Sequence, residues 1–525
     1  MRRRVGWALL LVVLALAVVA LLAQSPAGTP TTTSPPAAGA PTPTPSPSPT
    51  SRSAVLRALD GTTQVVDGSD SLERAAAMSE ALVLSSPAVV LVSTQEPDLL
   101  ARAASIATAL GVPLLLTGQD PDGRTAAEIT RLGAADAIVV GAADPEPAIA
   151  GLRLRHAPED PSALARLVGF AGSGLPPTVP AAPATDALVL DDGDPSVLGA
   201  VATARAVGAT VVRVPGGDPR ASSATVQAVS AATTESTTVL AVGPAFDPAE
   251  LAWTVATAAT GVELPGGGQL LFPGRRIVAL YGNPGTPALG LLGEQDLAGS
   301  IERARGLAAT YQALTPETVV PGFEIIATIA SRDAGADGDY SDEMSAEALL
   351  PWVQGAREAG IYVVLDLQPG RTDFLTQAKR YESLLVEPNV GLALDPEWRL
   401  APDQVHLRQI GSVGVDEVNA VSAWLADLTR ERALPQKLFV VHQFASRMID
   451  GRERLDLSRS ELAVMVHVDG QGSQPAKAGT WAALRRDAPA GLWWGWKNFI
   501  DEDSPMLTPE QTLQVDPVPD LVTYQ

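Results

Sequence analysis

From residue 275 onward the chain repeats one pattern: a short run of apolar residues that ends in polar or ionisable side chains. Such runs at 277–281, 324–329, 362–365, 391–394, 438–441, 463–466 and 492–495 have the length and composition of buried strands. Stretches with helical periodicity separate them, at 296–313, 346–359, 372–385, 417–430 and 477–486. Strands alternating with helices predict a parallel sheet covered by helices, and a row this long predicts a TIM-barrel-like (β/α) barrel of seven or eight strands over 270–525. Seven strands are clear. The segment 408–413 is either a short eighth strand or a loop, and the tail 516–525, with Pro517 and Pro519, is expected to wrap the surface.

Residues 54–265 predict a different α/β arrangement, a duplicated βαβ unit of the doubly wound kind. In the first copy the strand 88–92 is followed by Pro97 and Asp98 opening a helix, Gly111 ending it, and a strand at 113–116. The second copy has a strand at 187–190, Pro195, Gly208 and a strand at 210–214. Pro97 to Gly111 spans 14 positions and Pro195 to Gly208 spans 13. Each copy closes on an apolar strand ending in glycine, at Gly141 and Gly243. No G-x-G-x-x-G or Walker pattern stands between a strand and a helix, which argues against a nucleotide site.

The N-terminus changes the setting of both modules. Arg2-Arg3-Arg4 precede an uninterrupted apolar stretch at 5–23, so 1–24 is expected to be a secretion signal or, if retained, an N-terminal anchor. Residues 25–53 are almost entirely Pro, Thr, Ser, Ala and Gly, and are expected to be a disordered, extended spacer. With no cysteine, the chain has no disulfide, thiol nucleophile or lipid attachment point. A formal net charge of -22 argues against nucleic acid, whose binding rests on Lys and Arg neutralising phosphates. The chain is therefore expected outside the cytoplasm, secreted or anchored, touching membrane only through its N-terminal segment.

The candidate chemistry lies at the C-terminal ends of the barrel strands, where end residues share one bowl. Asp366, Asp395 and Glu397 are the candidate catalytic carboxylates. A glycosidase needs two carboxyl groups about 5 to 10 Å apart, one protonated and one ionised, and neighbouring strands lie about 4.8 Å apart. Glu397 is the candidate general acid, because Trp398 beside it offers an apolar wall that raises its pKa. Asp366 or Asp395 is then nucleophile, base or electrostatic stabiliser. Asn283, Gln368, Trp398, His442, Gln443, His467, Asp469, Trp494, Trp496, Lys497 and Asn498 are expected to contact substrate, with the strand-end tryptophans as flat faces for a pyranose ring. His442, His467 and Asp469 also admit a metal-dependent hydrolase, but no H-x-H or H-E-x-x-H spacing supports it. No metal and no cofactor are expected.

Two resemblances bear on this picture. Asp67-Gly68-Ser69-Asp70, Pro97-Asp98-Leu99-Leu100, Pro113-Leu114-Leu115-Leu116-Thr117-Gly118, Glu128 to Ala134 and Val139-Val140-Gly141 resemble the cell wall-binding repeat 2 family of Gram-positive surface proteins. This covers roughly one repeat, and the second copy departs from it. The resemblance implies adhesion to an anionic wall polymer or glycan. Leu365 to Arg371, Leu394-Asp395-Pro396-Glu397-Trp398, His442-Gln443-Phe444, Val468 to Gly472 and Trp494 to Phe499 look like segments of an uncharacterised family of secreted actinobacterial proteins. That resemblance implies a barrel shaped like those of glycoside hydrolases and no particular substrate. The expectation is a glycoside hydrolase-like enzyme acting on a cell-wall or environmental glycan; a non-catalytic wall-binding or scaffolding protein is the alternative.

Overall fold

The computed structural model describes residues 54–143, 149–158 and 186–525. The N-terminal apolar run and the Pro/Ser/Thr spacer lie outside the described residues. Among the described residues no helix is long and apolar enough to cross a membrane.

Strands β1 (Thr63–Val65), β2 (Ala88–Ser93), β3 (Leu114–Thr117), β4 (Asp136–Val140), β5 (Arg153–His156), β6 (Ala187–Asp191), β7 (Thr210–Arg213) and β8 (Thr238–Val242) make two four-stranded parallel sheets. Their orders are β3-β2-β4-β5 and β7-β6-β8-β1. Pro97 and Pro195 each open a single 3-10 turn that leads into the helices Leu100–Leu110 and Leu198–Ala206, where a missing N–H costs nothing. Gly111 ends the first of these in the left-handed conformation (φ 63°), which a side chain would strain. Val89, Leu91, Val189 and Leu240, from both sheets, share one apolar core.

The barrel follows. Strands β9 (Arg275–Gly282), β10 (Thr318–Ala330), β11 (Tyr362–Leu367), β12 (Val390–Leu394), β13 (Lys437–Gln443), β14 (Leu462–Val468), β15 (Trp493–Asn498) and β16 (Leu521–Tyr524) pair in parallel in sequence order, and β16 pairs back to β9. The sheet is a closed eight-stranded parallel barrel. The eighth strand comes from the tail, not from 408–413. Leu521 and Val522 pair with β9 and β15 on either side, which satisfies backbone groups that a surface wrap would leave open.

Side chains alternate across each strand, so the barrel has two cores. Ile277, Ala279, Val320, Tyr362, Val364, Ala393, Leu438, Val440, Ala463, Met465 and Leu521 fill the interior. Val278, Phe323, Val363, Leu392, Phe439, Val466 and Trp496 face outward to the helices Leu297–Gln312, Ala346–Glu358, Val415–Glu431 and Gln474–Arg485. Leu264, Leu271 and Phe272 belong to the inner core and close the end at which the strands begin. At the other end, the inner face of every strand turns polar.

Candidate active site

Following each inward face to its C-terminal end gives Tyr281, Glu324, Asp366, Asp395, His442, His467, Lys497 and Thr523, one from each strand. All eight are buried. They form the floor of a cavity of about 470 Å³, whose walls include Gln368, Glu397, Trp398, Phe444, Asp469 and Phe499. Asp395, Tyr281 and Lys497 reach the cavity surface, whereas Asp366, Glu324, His442 and His467 lie beneath it.

The buried groups form a connected network. His442 donates through Nε2 to Glu324 Oε1 (2.7 Å) and through Nδ1 to Asp469 Oδ2 (3.1 Å). With two carboxylates accepting, both ring nitrogens carry hydrogen and the ring is an imidazolium. Burial opposes a charge there, but Glu324, Asp469 and Asp366 outweigh it and hold the pKa well above the ordinary imidazole value. His467 behaves oppositely. Burial, and then the positive charge of His442, push it well below that value, with the two rings 4.8 Å apart. Thr523 Oγ1 is hydrogen-bonded to His467 Nε2 at 3.1 Å. Gly495 makes room for the ring, because a Cβ at that position would strike His467 Cδ2.

The carboxyl groups are driven apart in pKa. Burial, then the negative charge of Asp469, push Glu397 up to about 7. Burial, then Glu397 and Asp366, hold Asp395 well above the carboxylate range. Burial lifts Asp366 to about 6 against the pull of His442, while its Oδ2 accepts a hydrogen bond from Tyr281 Oη (2.8 Å). Burial would also raise Asp469, but the hydrogen bond and charge of His442, with Lys497, hold it below its ordinary value. One cavity thus presents a carboxyl on Glu397 that keeps its proton up to pH about 7 and an ionised one on Asp469.

Of the expected catalytic residues, Asp395 and Glu397 line the cavity and Asp366 supports its floor. Gln368, Trp398, Asp469 and Lys497 also line it. Seven expected contacts are not at its surface: His442 and His467 lie beneath the floor, and five others are elsewhere. Trp494 and Trp496 point outward and stack edge-on to Trp481 at 5.8 and 5.5 Å. Asn498 accepts from Trp496 Nε1 (2.9 Å) on the same outer face, and Gln443 accepts from Arg452 outside the barrel (2.8 Å). Asn283 is fully committed to the chain, donating to Ile326 O and accepting from Gly285 N, both at 2.8 Å. Residues two apart on a strand share a face, so Trp494, Trp496 and Asn498 are excluded from the bowl by the same alternation that brings Lys497 into it. The aromatic walls are instead Trp398, Phe444, Phe499 and Tyr281.

The metal alternative does not fit the donor set, because His442 has no free lone pair while both nitrogens donate. Among the described residues, the metal-ligand types that converge within 4.8 Å are Asp337, Asp339 and Glu343, around the end of β10 and outside the bowl. Glu324 is the network member that sequence reasoning did not single out. Its signal is a lone charge inside the apolar run from Val319 to Ile329.

No family model matches the chain. No curated protein matches it either. Among solved structures twelve chains match. One is described as Cwp6 from Clostridium difficile; it is 12% identical, with a TM-score of 0.29, over 76% of this chain and 66% of that one. The chain therefore spans just under two thirds of that neighbour's length, and a likeness of this extent carries no functional argument.

Proposed function

We propose that this chain is an extracytoplasmic glycoside hydrolase-like enzyme acting on a cell-wall or environmental glycan, with Glu397 as general acid and Asp469 as its ionised partner. The supporting observation is the split in protonation within one cavity: Glu397 is pushed up to about 7, and Asp469 is held ionised by His442. Glu397 gives its proton to the glycosidic oxygen as the bond from that oxygen to the anomeric carbon breaks, and the Asp469 carboxylate meets the positive charge that grows there. Water adds to that carbon and returns a proton to Glu397. Asp395, whose burial favours the protonated form, is a hydrogen-bonding group for substrate hydroxyls. Glu324 and His442 act through Asp469 and are positioning residues.

In this proposal residues 1–24 export or anchor the chain, 25–53 space it from the surface, 54–265 are a duplicated unit with affinity for wall polymer, and 270–525 are the catalytic barrel. The test is release of reducing sugar from purified peptidoglycan and arabinogalactan. Glu397→Gln and Asp469→Asn are each expected to lower the rate by about 100-fold or more, and the wild-type rate is expected to fall above pH about 7 as Glu397 loses its proton. Binding of these polymers without product over a long incubation would move the protein to the binding class instead.

A further inference from the structure

Lys497 is the inward residue at the end of β15; it is 4% exposed and lines the cavity. Its ammonium lies 3.4 Å from the centroid of the Tyr281 ring and 5.2 Å from that of Phe499. Among the described residues it makes no hydrogen bond and no ion pair. The other two buried lysines behave differently. Lys477 Nζ donates to Asp503 Oδ2 (2.6 Å) and to Lys497 O (2.7 Å), and Lys437 Nζ donates to the carbonyls of Glu387 (3.0 Å) and Val390 (2.8 Å). An ammonium carries three donors, and one at a cavity wall with none of them engaged by the protein is free to meet an acceptor held in that cavity.

We infer that Lys497 anchors a negatively charged substituent, a carboxylate or a phosphate, on a sugar ring held in the cavity, so that the substrate is an anionic glycan. This rests on the reading of the cavity as a glycan site. Tyr281 holds the ammonium by its ring face, which fixes the cation without using a donor. Tyr281 is itself locked by its hydrogen bond to Asp366, so little reorganisation accompanies binding. A second observation gives the rest of the ligand. Gln368, Asp395, Glu397 and Asp469 line the same cavity beside the flat faces of Trp398 and Phe444. Polar side chains set among aromatic faces suit the hydroxyls and apolar faces of a sugar ring. A ligand with several hydroxyls and one anionic group matches both sets. The carboxyl groups nearby repel it less than free carboxylates would, because burial favours the protonated form of Asp395 and lifts Glu397 to about 7, and the Asp469 charge is opposed by His442.

The test is calorimetric binding to the full chain of D-glucuronate against D-glucose, D-galacturonate against D-galactose, and glucose 6-phosphate as the phosphate arm. At least one anionic sugar is expected to bind about tenfold or more tightly than its neutral partner. Lys497→Met is expected to abolish the difference and Lys497→Arg to keep much of it, with circular dichroism confirming that both fold. The wild-type comparison needs no variant. Equal binding of acid and neutral sugar, binding of neither, or a preference that survives in Lys497→Met overturns the inference. A wild type that prefers the anionic sugar but cleaves no glycan keeps the anchor and removes the hydrolase reading, whereas cleavage of neutral glycans without charge preference does the reverse.

Discussion

Asp366 is wholly buried, with Oδ2 satisfied by Tyr281 and Oδ1 unpartnered. Its folded pKa of about 6 lies above the ordinary 3.8, so the folded state binds the extra proton between those values. Stability from this group is full below pH about 4, declines as pH rises toward 6, and is absent at pH 7. Asp366→Asn keeps an acceptor for Tyr281 and removes the charge. It is expected to stabilise the chain by about 1–3 kcal/mol at pH 7 and by little at pH 4, measured by urea unfolding at both. A gain over the wild type no larger at pH 7 than at pH 4 would show that the native site solvates this carboxylate. At this scale the site was half legible. Asp395, Glu397, Asp469 and Lys497 stand out as ionisable groups at the ends of apolar runs. Trp494, Trp496, Gln443 and Asn498 stand at the same ends, and only knowing which strand face is inward separates the two sets. Glu324 escaped notice because one charge inside a strand reads as an interruption, not as a site.

The barrel depends on an element that the sequence disguises. Strand β16 is four residues long and follows Pro517 and Pro519, so it reads as a tail. Its neighbours carry the complementary requirement, since without it β9 and β15 would each expose a line of unpaired N–H and C=O groups. The strand also supplies Thr523 to His467 and Tyr524, whose hydroxyl lies 2.6 Å from that of Tyr311 on the helix Leu297–Gln312. Deleting residues 521–525 is expected to abolish the cooperative thermal transition and drive the protein into aggregates by size-exclusion chromatography. Removing Gln525 alone should leave the transition in place. The other seven strands were legible because each has an apolar run bounded by helical periodicity. Closure was not, because it is decided by pairing across the whole ring, beyond the reach of any local pattern.

At the scale of the whole molecule, the contact between the α/β region and the barrel sits at the end where the strands begin. Gln269 O accepts from Gln436 N just before β13, and Glu250 Oε2 accepts from Ser460 Oγ (2.7 Å) just before β14. Trp253, 8% exposed, has the Arg220 guanidinium 4.2 Å and the Arg430 guanidinium 4.7 Å from its ring centroid, and both Glu250 carboxylate oxygens also accept from Arg430 at 2.8 Å. The mouth with Glu397 and Lys497 lies at the opposite end of the strands, so docking leaves it open. A joint built from a buried indole and paired charges couples the unfolding of the two regions more strongly than a linker would. The wild type is therefore expected to unfold in one calorimetric transition. Trp253→Ala removes the surface that both arginines cover and leaves them facing each other, at a cost of about 3–5 kcal/mol. In that variant two transitions are expected, and proteolysis is expected to cut between residues 260 and 275 first. A single transition merely shifted downward would mean that Gln269, Gln436 and Leu271 hold the joint without it. The Trp253→Ala cavity chemistry should be unaffected in either case, because the barrel's inner core separates the joint from the bowl.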